Sequence, residues 1–259
     1  MKTIYSSDNR IFKLLRELSV KKYRDRSGKY IIEGENLIEE AVKSGIRPEL
    51  IVVREDYEGK ANAFLDEAEE TVFMSRQLFE KVAQTETSQG IMAVVEKKIY
   101  TPDEFYEIVG DGNVVFLDRL QDPGNIGTVI RTAEAAGYKG VISLKGTGDI
   151  YSPKTVRATT GSVFRMPVLV VDDLVTATGR IKEAGKKLVA TCMDGSVVYY
   201  EADLTKDIVL IIGNEGNGIS DELQELSDIR VNIPMMGKVE SLNASIAAAI
   251  LMYEAQRNK

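Results

Sequence analysis

IVLIIGNEGNGISDELQELSDIRVNIPMMGKVESLNASIAAAILMY, residues 208–253, decides how the rest of the chain is read. The apolar run 208–212 has the length of a buried strand, the glycine-rich stretch 213–218 breaks it, and a polar helix follows. A second short strand, 229–233, stops at Pro234, and a loop through Gly237 leads to a helix opened by Ser241. Two strand-to-helix turns so close together predict an α/β sheet with its ligand loops at the carboxyl ends of the strands, where glycines admit close approach and helix N-termini present free N–H groups. The spacing from Gly213 to Ser220 comes near a phosphate-binding loop, yet Ile219 stands where that loop needs lysine, and Glu215 repels phosphate. Glycine amides, one carboxylate and the side-chain amides of Asn214 and Asn217 suit a neutral or positively charged ligand. S-adenosylmethionine, with a sulfonium and no phosphate, has that character. A tight turn carrying a surface glutamate accounts for the same residues.

The 259 residues, 44% hydrophobic and 28% charged, have the composition of one large or two modest globular domains with real cores. MKTIYSSDNR at the start lacks the apolar stretch of a signal peptide, and no apolar run nears the roughly 18 residues of a membrane span. A cytoplasmic protein with no membrane partner is expected. Cys192 is the only cysteine and histidine is absent, which excludes an internal disulfide, the usual zinc sites and histidine-assisted nucleophiles, so no metal is expected. The net charge of −7 is unevenly spread: residues 1–29 hold nine cations against three acids, +6, leaving −13 on the other 230. An arm and a body of opposite sign point to a polyanionic partner, with Arg10, Lys21, Lys22, Arg24 and Arg26 as candidate contacts. Ile11, Leu14, Leu15 and Leu18 form one helical stripe, so the same cations also suit a solvated helix face.

From 29 to 97 the pattern alternates: strand YIIEG, helix GENLIEEAVKSG, strand ELIVVRE, a helix over 60–69, strand TVFMS, a helix over 76–83 and strand IMAVVEK. Residues 1–97 therefore read as a small α/β module, 98–112, with Pro102 and a short helical pattern, as a linker, and 113–259 as a second α/β domain. The second domain opens with strand VVFLD, a turn at Asp122-Pro123-Gly124 and a helix from near Asn125 to Gly137. At about 100° per residue, Ile126, Val129, Ile130, Ala133 and Ala136 cover one helix face, and Asn125, Thr128, Arg131 and Thr132 share another. That polar arc either faces a site or, more plainly, caps the helix and meets solvent. Strand GVISLK, the basic segment PKTVRATTGSVFRMP, strand VLVV, a helix over 172–184 and strand KLVATCMD follow. Lys154, Arg157 and Arg165 are further candidates for phosphate contacts, and the loop 191–195 for a pocket rim. With no histidine to activate it, Cys192 reads as a packing residue.

Three segments resemble the signature of the SpoU (TrmH-like) family of RNA ribose 2′-O-methyltransferases: LDRLQDPGNIGTVIRTAEAAG at 117–137, IIGNEGNGIS at 211–220 and IPMMGKVESLNASIAAAI at 233–250. IIEGENLIEEAV at 31–42 is similar to part of the ribosomal-protein-like (L30e-like) RNA-binding domain that precedes the catalytic domain in many members. The resemblance implies methyl transfer from S-adenosylmethionine to a ribose 2′-hydroxyl. It also implies an α/β-knot domain with a mostly parallel sheet, its C-terminal chain tied in a trefoil, which pairs as a homodimer with the active site near the interface. Catalytic roles fall on Asn125, Arg131, Glu215, Ser241 and Asn243, and cofactor contacts on Thr191, Cys192, Gly213, Asn214, Gly216, Ile233, Met235 and Leu242. Arginine stays protonated in proteins, so Arg131 is expected to clamp the adjacent RNA phosphate while the proton passes to phosphate or water. The added domain favours large-subunit ribosomal RNA as substrate, and removing 1–97 is expected to weaken RNA binding while sparing the cofactor site. The alternatives are a tRNA 2′-O-methyltransferase, a methyltransferase acting on a base nitrogen, and a non-catalytic RNA-binding or ribosome-assembly protein of the same fold.

Overall fold

β-branched and apolar runs pair into two separate sheets. The structure is a computed structural model that describes residues 3–57, 66–85, 87–192 and 195–257. Two units are distinguished: Met1–Lys97 with Asp149–Phe164, and Lys98–Gly148 with Arg165–Lys259.

In the first unit, strands β1 (Thr3–Ile4), β2 (Lys29–Glu33), β3 (Leu50–Arg54), β4 (Glu70–Met74) and β5 (Ile91–Glu96) form a sheet of order β1-β4-β3-β5-β2. β1, β4 and β3 run parallel, while β5 is antiparallel to both β3 and β2. Helix α1 (Arg10–Leu18) starts where the Asn9 side chain accepts the Ile11 N–H, and it buries Ile11, Phe12, Leu15 and Leu18. Leu14, expected on that stripe, is only partly buried at its edge, and Phe12 takes the core position. α2 (Lys21–Ser27), α3 (Glu35–Lys43) and α4 (Arg76–Val82) are the other helices among the described residues of 1–97. Of the helix expected over 60–69, residues 60–65 lie outside the described residues, and 66–69 form turns instead.

Asp149–Phe164, which the sequence order assigns to the second domain, packs in this first unit and carries α7 (Pro153–Thr159). Arg24 explains the attachment. Its guanidinium pairs with Asp149, and its Nη1 donates to the Leu18 carbonyl at 2.7 Å. Tyr30 and Tyr151 add a ring contact at 4.9 Å between centroids. Arg24, only 4% exposed, is thus a buried structural cation and not an RNA contact. Arg157 is similarly engaged, with its Nη1 donating to the Gln84 carbonyl at 2.8 Å.

The second unit is built on a seven-stranded, wholly parallel sheet: β6 (Val114–Leu117), β7 (Gly140–Leu144), β8 (Val168–Val171), β9 (Lys187–Thr191), β10 (Val197–Val198), β11 (Ile208–Ile212) and β12 (Ile229–Asn232). The order is β10-β12-β9-β11-β6-β7-β8. Its central strands are continuous apolar runs because both faces are covered, and β6 and β11 are buried along their whole length. The covering helices are α5 (Pro102–Val109), α6 (Pro123–Ala135), α8 (Leu174–Glu183), α9 (Asp221–Leu226) and α10 (Ala244–Glu254). α5 occupies the stretch expected to be a linker. Thr101 and Glu104 form a capping box at its start, and Phe105 is fully buried in this unit's core. α6 opens two residues before Asn125, with Asp122 as cap and Pro123 in the first turn. α10 opens after Asn243 and not at Ser241, because the Asn243 side chain accepts the N–H groups of Ser245 and Ile246. No helix among the described residues is long and apolar enough to cross a membrane.

Candidate active site

β11 lies between β9 and β6, and β12 on the other side of β9, so the loops leaving β9, β11 and β12 open side by side at the carboxyl edge. Together with the turn before α10 they enclose a cavity of about 500 Å³, within the usual range for small-molecule sites. All the cofactor candidates named from the sequence line it: Thr191, Cys192, Gly213, Asn214, Gly216, Ile233, Met235 and Leu242. Met193, on the same loop as Cys192, lies outside the described residues. Ile212, Ile219, Val231 and Ala247 add apolar wall. Among the described lining residues there are two carboxylates, Glu215 and Glu240, and no lysine or arginine. Such a lining disfavours phosphate and suits a ligand with apolar surface and a positive centre.

The glycine loop is shaped from within. Asn214 and Gly218 exchange two backbone hydrogen bonds at 2.9 Å each, and the Asn214 Oδ1 accepts the N–H groups of Gly216 and Asn217 at 3.0 and 3.1 Å. The Asn214 side-chain amide and the N–H groups of Gly216 and Asn217, expected to face a ligand, are therefore engaged within the protein. A Cβ on Gly213 would come 2.3 Å from the Gly218 carbonyl carbon, so only glycine closes this loop.

Asn125, Glu215 and Asn243, far apart in sequence, form one hydrogen-bonded chain. The Asn243 Nδ2 donates to the Asn125 Oδ1 at 2.9 Å, and the Asn125 Nδ2 donates to the Glu215 Oε1 at 3.1 Å. Glu215 also accepts the backbone N–H groups of Gln121 and Asp122 at 3.0 and 2.8 Å, just ahead of α6. Burial pushes its carboxyl up, but the Asp122 N–H, the Asn125 amide and the Gln121 N–H outweigh this and hold it below the usual carboxylate range. Ser241 lines the same cavity without a protein hydrogen bond among the described residues. Arg131 is not drawn into the chain: it is exposed on α6, about 9 Å along the axis from Asn125. The sequence reading missed Asp118 and Gln121. Asp118 is fully buried and accepts the Ser220 N–H at 2.8 Å, which closes the glycine loop; an acid ending the apolar run VVFLD was its only signal.

The spacing of these motifs is diagnostic. Residues 112–253 match the model of the SpoU rRNA methylase family, and residues 9–93 match an MRM3-like substrate binding domain. The chain belongs to the SpoU rRNA methylase family. This SpoU chain is 38% identical over 254 residues to the 23S rRNA (guanosine(2553)-2'-O)-methyltransferase RlmP of Bacillus subtilis (strain 168), with 98% of each protein covered. Its structure resembles an AdoMet-bound rRNA methyltransferase from Sinorhizobium meliloti, with TM-score 0.85, 33% identity, and 99% of this chain and 98% of that one covered. The SpoU methyltransferase AviRb from Streptomyces viridochromogenes, in complex with AdoMet, gives TM-score 0.87 at 32% identity over 96% and 98%.

The expected RNA contacts are dispersed. Arg10, Lys21, Lys22 and Arg26 are exposed on the first unit, where Arg10 pairs with Glu70 at 3.1 Å and Arg26 lies 4.9 Å from the Tyr23 ring centre. Exposed pairs of this kind contribute little and leave the cations available. Lys154 is exposed in the same unit, and Arg165, in the second, pairs with Glu134.

Proposed function

We infer that this SpoU chain transfers a methyl group from S-adenosylmethionine to a ribose 2′-hydroxyl of large-subunit ribosomal RNA. The observation that carries the reading is the cavity beside the Asn243–Asn125–Glu215 chain, which has carboxylates and no lysine or arginine among its described lining residues. Bound there, the cofactor supplies a methyl group activated by its sulfonium. Glu215, kept ionised by the Asp122 and Gln121 N–H groups and the Asn125 amide, gives the cavity the negative charge that a sulfonium needs. Asn125 and Asn243 hold the β6–α6 turn and the start of α10 in one arrangement, and Ser241 presents a hydroxyl from the adjoining loop. Arg131 clamps the phosphate next to the target ribose, and the proton leaves to phosphate or water. Orientation is the main source of rate, since aligned reactants recover about 7–11 kcal/mol of barrier.

Two chains act together in this reading. On α10, Ile246 and Tyr253 are 52% and 54% exposed on a helix that is apolar on all sides, which supports a dimer interface there. The trefoil knot rests on membership of the SpoU family, and the order β12-β9-β11 is compatible with it. A cytoplasmic reaction is in keeping with a ribosomal substrate. Guanosine, named for the Bacillus relative, is the nucleotide to examine first.

Purified protein is incubated with labelled S-adenosylmethionine and, separately, unmodified 23S rRNA and tRNA, and the products are digested to nucleosides. Label is expected in a 2′-O-methylnucleoside from 23S rRNA. Label in tRNA or on a base would sink the assignment.

A further inference from the structure

The loop between β6 and α6 holds a residue in a conformation its side chain disfavours. Arg119 has φ +55°, in the left-handed region where glycine or asparagine sits more easily. The backbone is locked there: the Arg119 carbonyl accepts the Asn214 Nδ2 at 3.0 Å and the Gln121 Nε2 at 2.8 Å. A long charged side chain at such a point calls for an account of what it does. Its Nε donates to the Asp118 Oδ1 at 2.9 Å and its Nη2 reaches the Asp118 Oδ2 at 3.5 Å. Asp118 itself is fully buried and tied to the Ser220 N–H, so it anchors the guanidinium in a fixed plane. Three of the five guanidinium N–H groups remain without a protein partner among the described residues, and the side chain is 49% exposed. The edge formed by Nη1 and Nη2 is the geometry that takes two oxygens of a phosphate.

Charge makes the same point. The turn itself carries Asp118 and Asp122, and Glu215 is bonded to it from the glycine loop; by themselves these acids would repel a polyanion. Between residues 114 and 135 the only cations are Arg119 and Arg131. We propose that Arg119 is a pre-oriented clamp for a backbone phosphate of the RNA substrate, held by the buried Asp118 and placed beside the loop that carries Glu215. This rests on the RNA-methylating reading above and adds to it a phosphate contact distinct from Arg131. The guanidinium loses little freedom on binding because Asp118 has already fixed it.

Arg119→Gly removes the clamp and also relieves the left-handed backbone. The full-length variant is compared with wild type for S-adenosylmethionine affinity and for binding of unmodified 23S rRNA across a salt series. The expected result is unchanged cofactor affinity, RNA affinity about tenfold weaker, and a log–log salt slope shallower by about 0.7 to 0.9, the value for one lost phosphate contact. Wild-type RNA affinity and slope in that variant would overturn the clamp while leaving the methyltransferase reading intact. Failure of the wild-type protein to bind RNA would instead overturn the reading beneath it. Should Arg119→Gly lose the cofactor, Arg119→Lys decides: it keeps the charge beside Asp118 but not the fork, and a weakening of RNA binding of about threefold or more is expected of it. Undiminished RNA affinity in the lysine variant would then count against the clamp.

Discussion

Glu215 does two jobs with one carboxylate: it charges the cavity and ties the glycine loop to the start of α6. Its folded pKa lies below the unfolded value, so the ionised form is the one the fold favours. The associated stabilisation is complete at neutral pH and is lost as pH falls through the folded value, below the ordinary glutamate pKa of about 4.3. Cofactor affinity, measured by calorimetry, should therefore stay level from neutral pH down to the ordinary glutamate pKa and fall only below it. Glu215→Gln should bind about tenfold more weakly at neutral pH, since an amide NH₂ then opposes backbone donors, and its affinity should be flat through the acid range. An identical acid fall in the variant would assign the titration to another group. The sequence shows a lone acid in a glycine loop, but its hydrogen-bond donors at Gln121, Asp122 and Asn125 are nowhere near it in sequence.

α10 shows how far an element can be read locally. Its apolar run marks a helix, and both Ser241 and Asn243 are good caps, so composition does not choose between them. The choice falls to Asn243, whose Oδ1 accepts the first-turn N–H groups while its Nδ2 bonds Asn125 on α6. The same helix leaves Ile246 in its first turn exposed, where an acidic side chain is compatible with the helix dipole. Wild-type protein should sediment as a dimer and Ile246→Asp as a monomer with unchanged circular dichroism. A dimer that survives the substitution would move the interface away from α10. α5 is legible as a short helical pattern, but nothing local shows that it packs into a core instead of bridging two domains, and β10 is illegible because two residues are too few to show a strand period.

Over the whole molecule, the chain leaves the second sheet after β7, contributes Asp149–Phe164 to the first unit, and returns for β8. Removing residues 1–97 would thus strip Arg24 from Asp149, Tyr30 from Tyr151 and Gln84 from Arg157, and such a truncation is not a clean test of RNA binding. Asp149→Ala should destabilise the first unit by about 3–5 kcal/mol in urea unfolding, because it leaves the buried Arg24 charge uncompensated. A loss under 1 kcal/mol would show that Arg24 finds water instead. What the sequence determined by itself was the alternation of strands and helices, the glycine turn and the motifs that place Asn125, Glu215 and Asn243, since periodicity, caps and turn chemistry act over a few residues. Only the tertiary structure decided that Arg24 is buried, that the Asn214 amide shapes its own loop, and that Arg119 is anchored beside the site. Those outcomes depend on burial and on partners distant along the chain, 125 residues away for Arg24 and Asp149 and 95 for Asn214 and Arg119, and no local pattern encodes them.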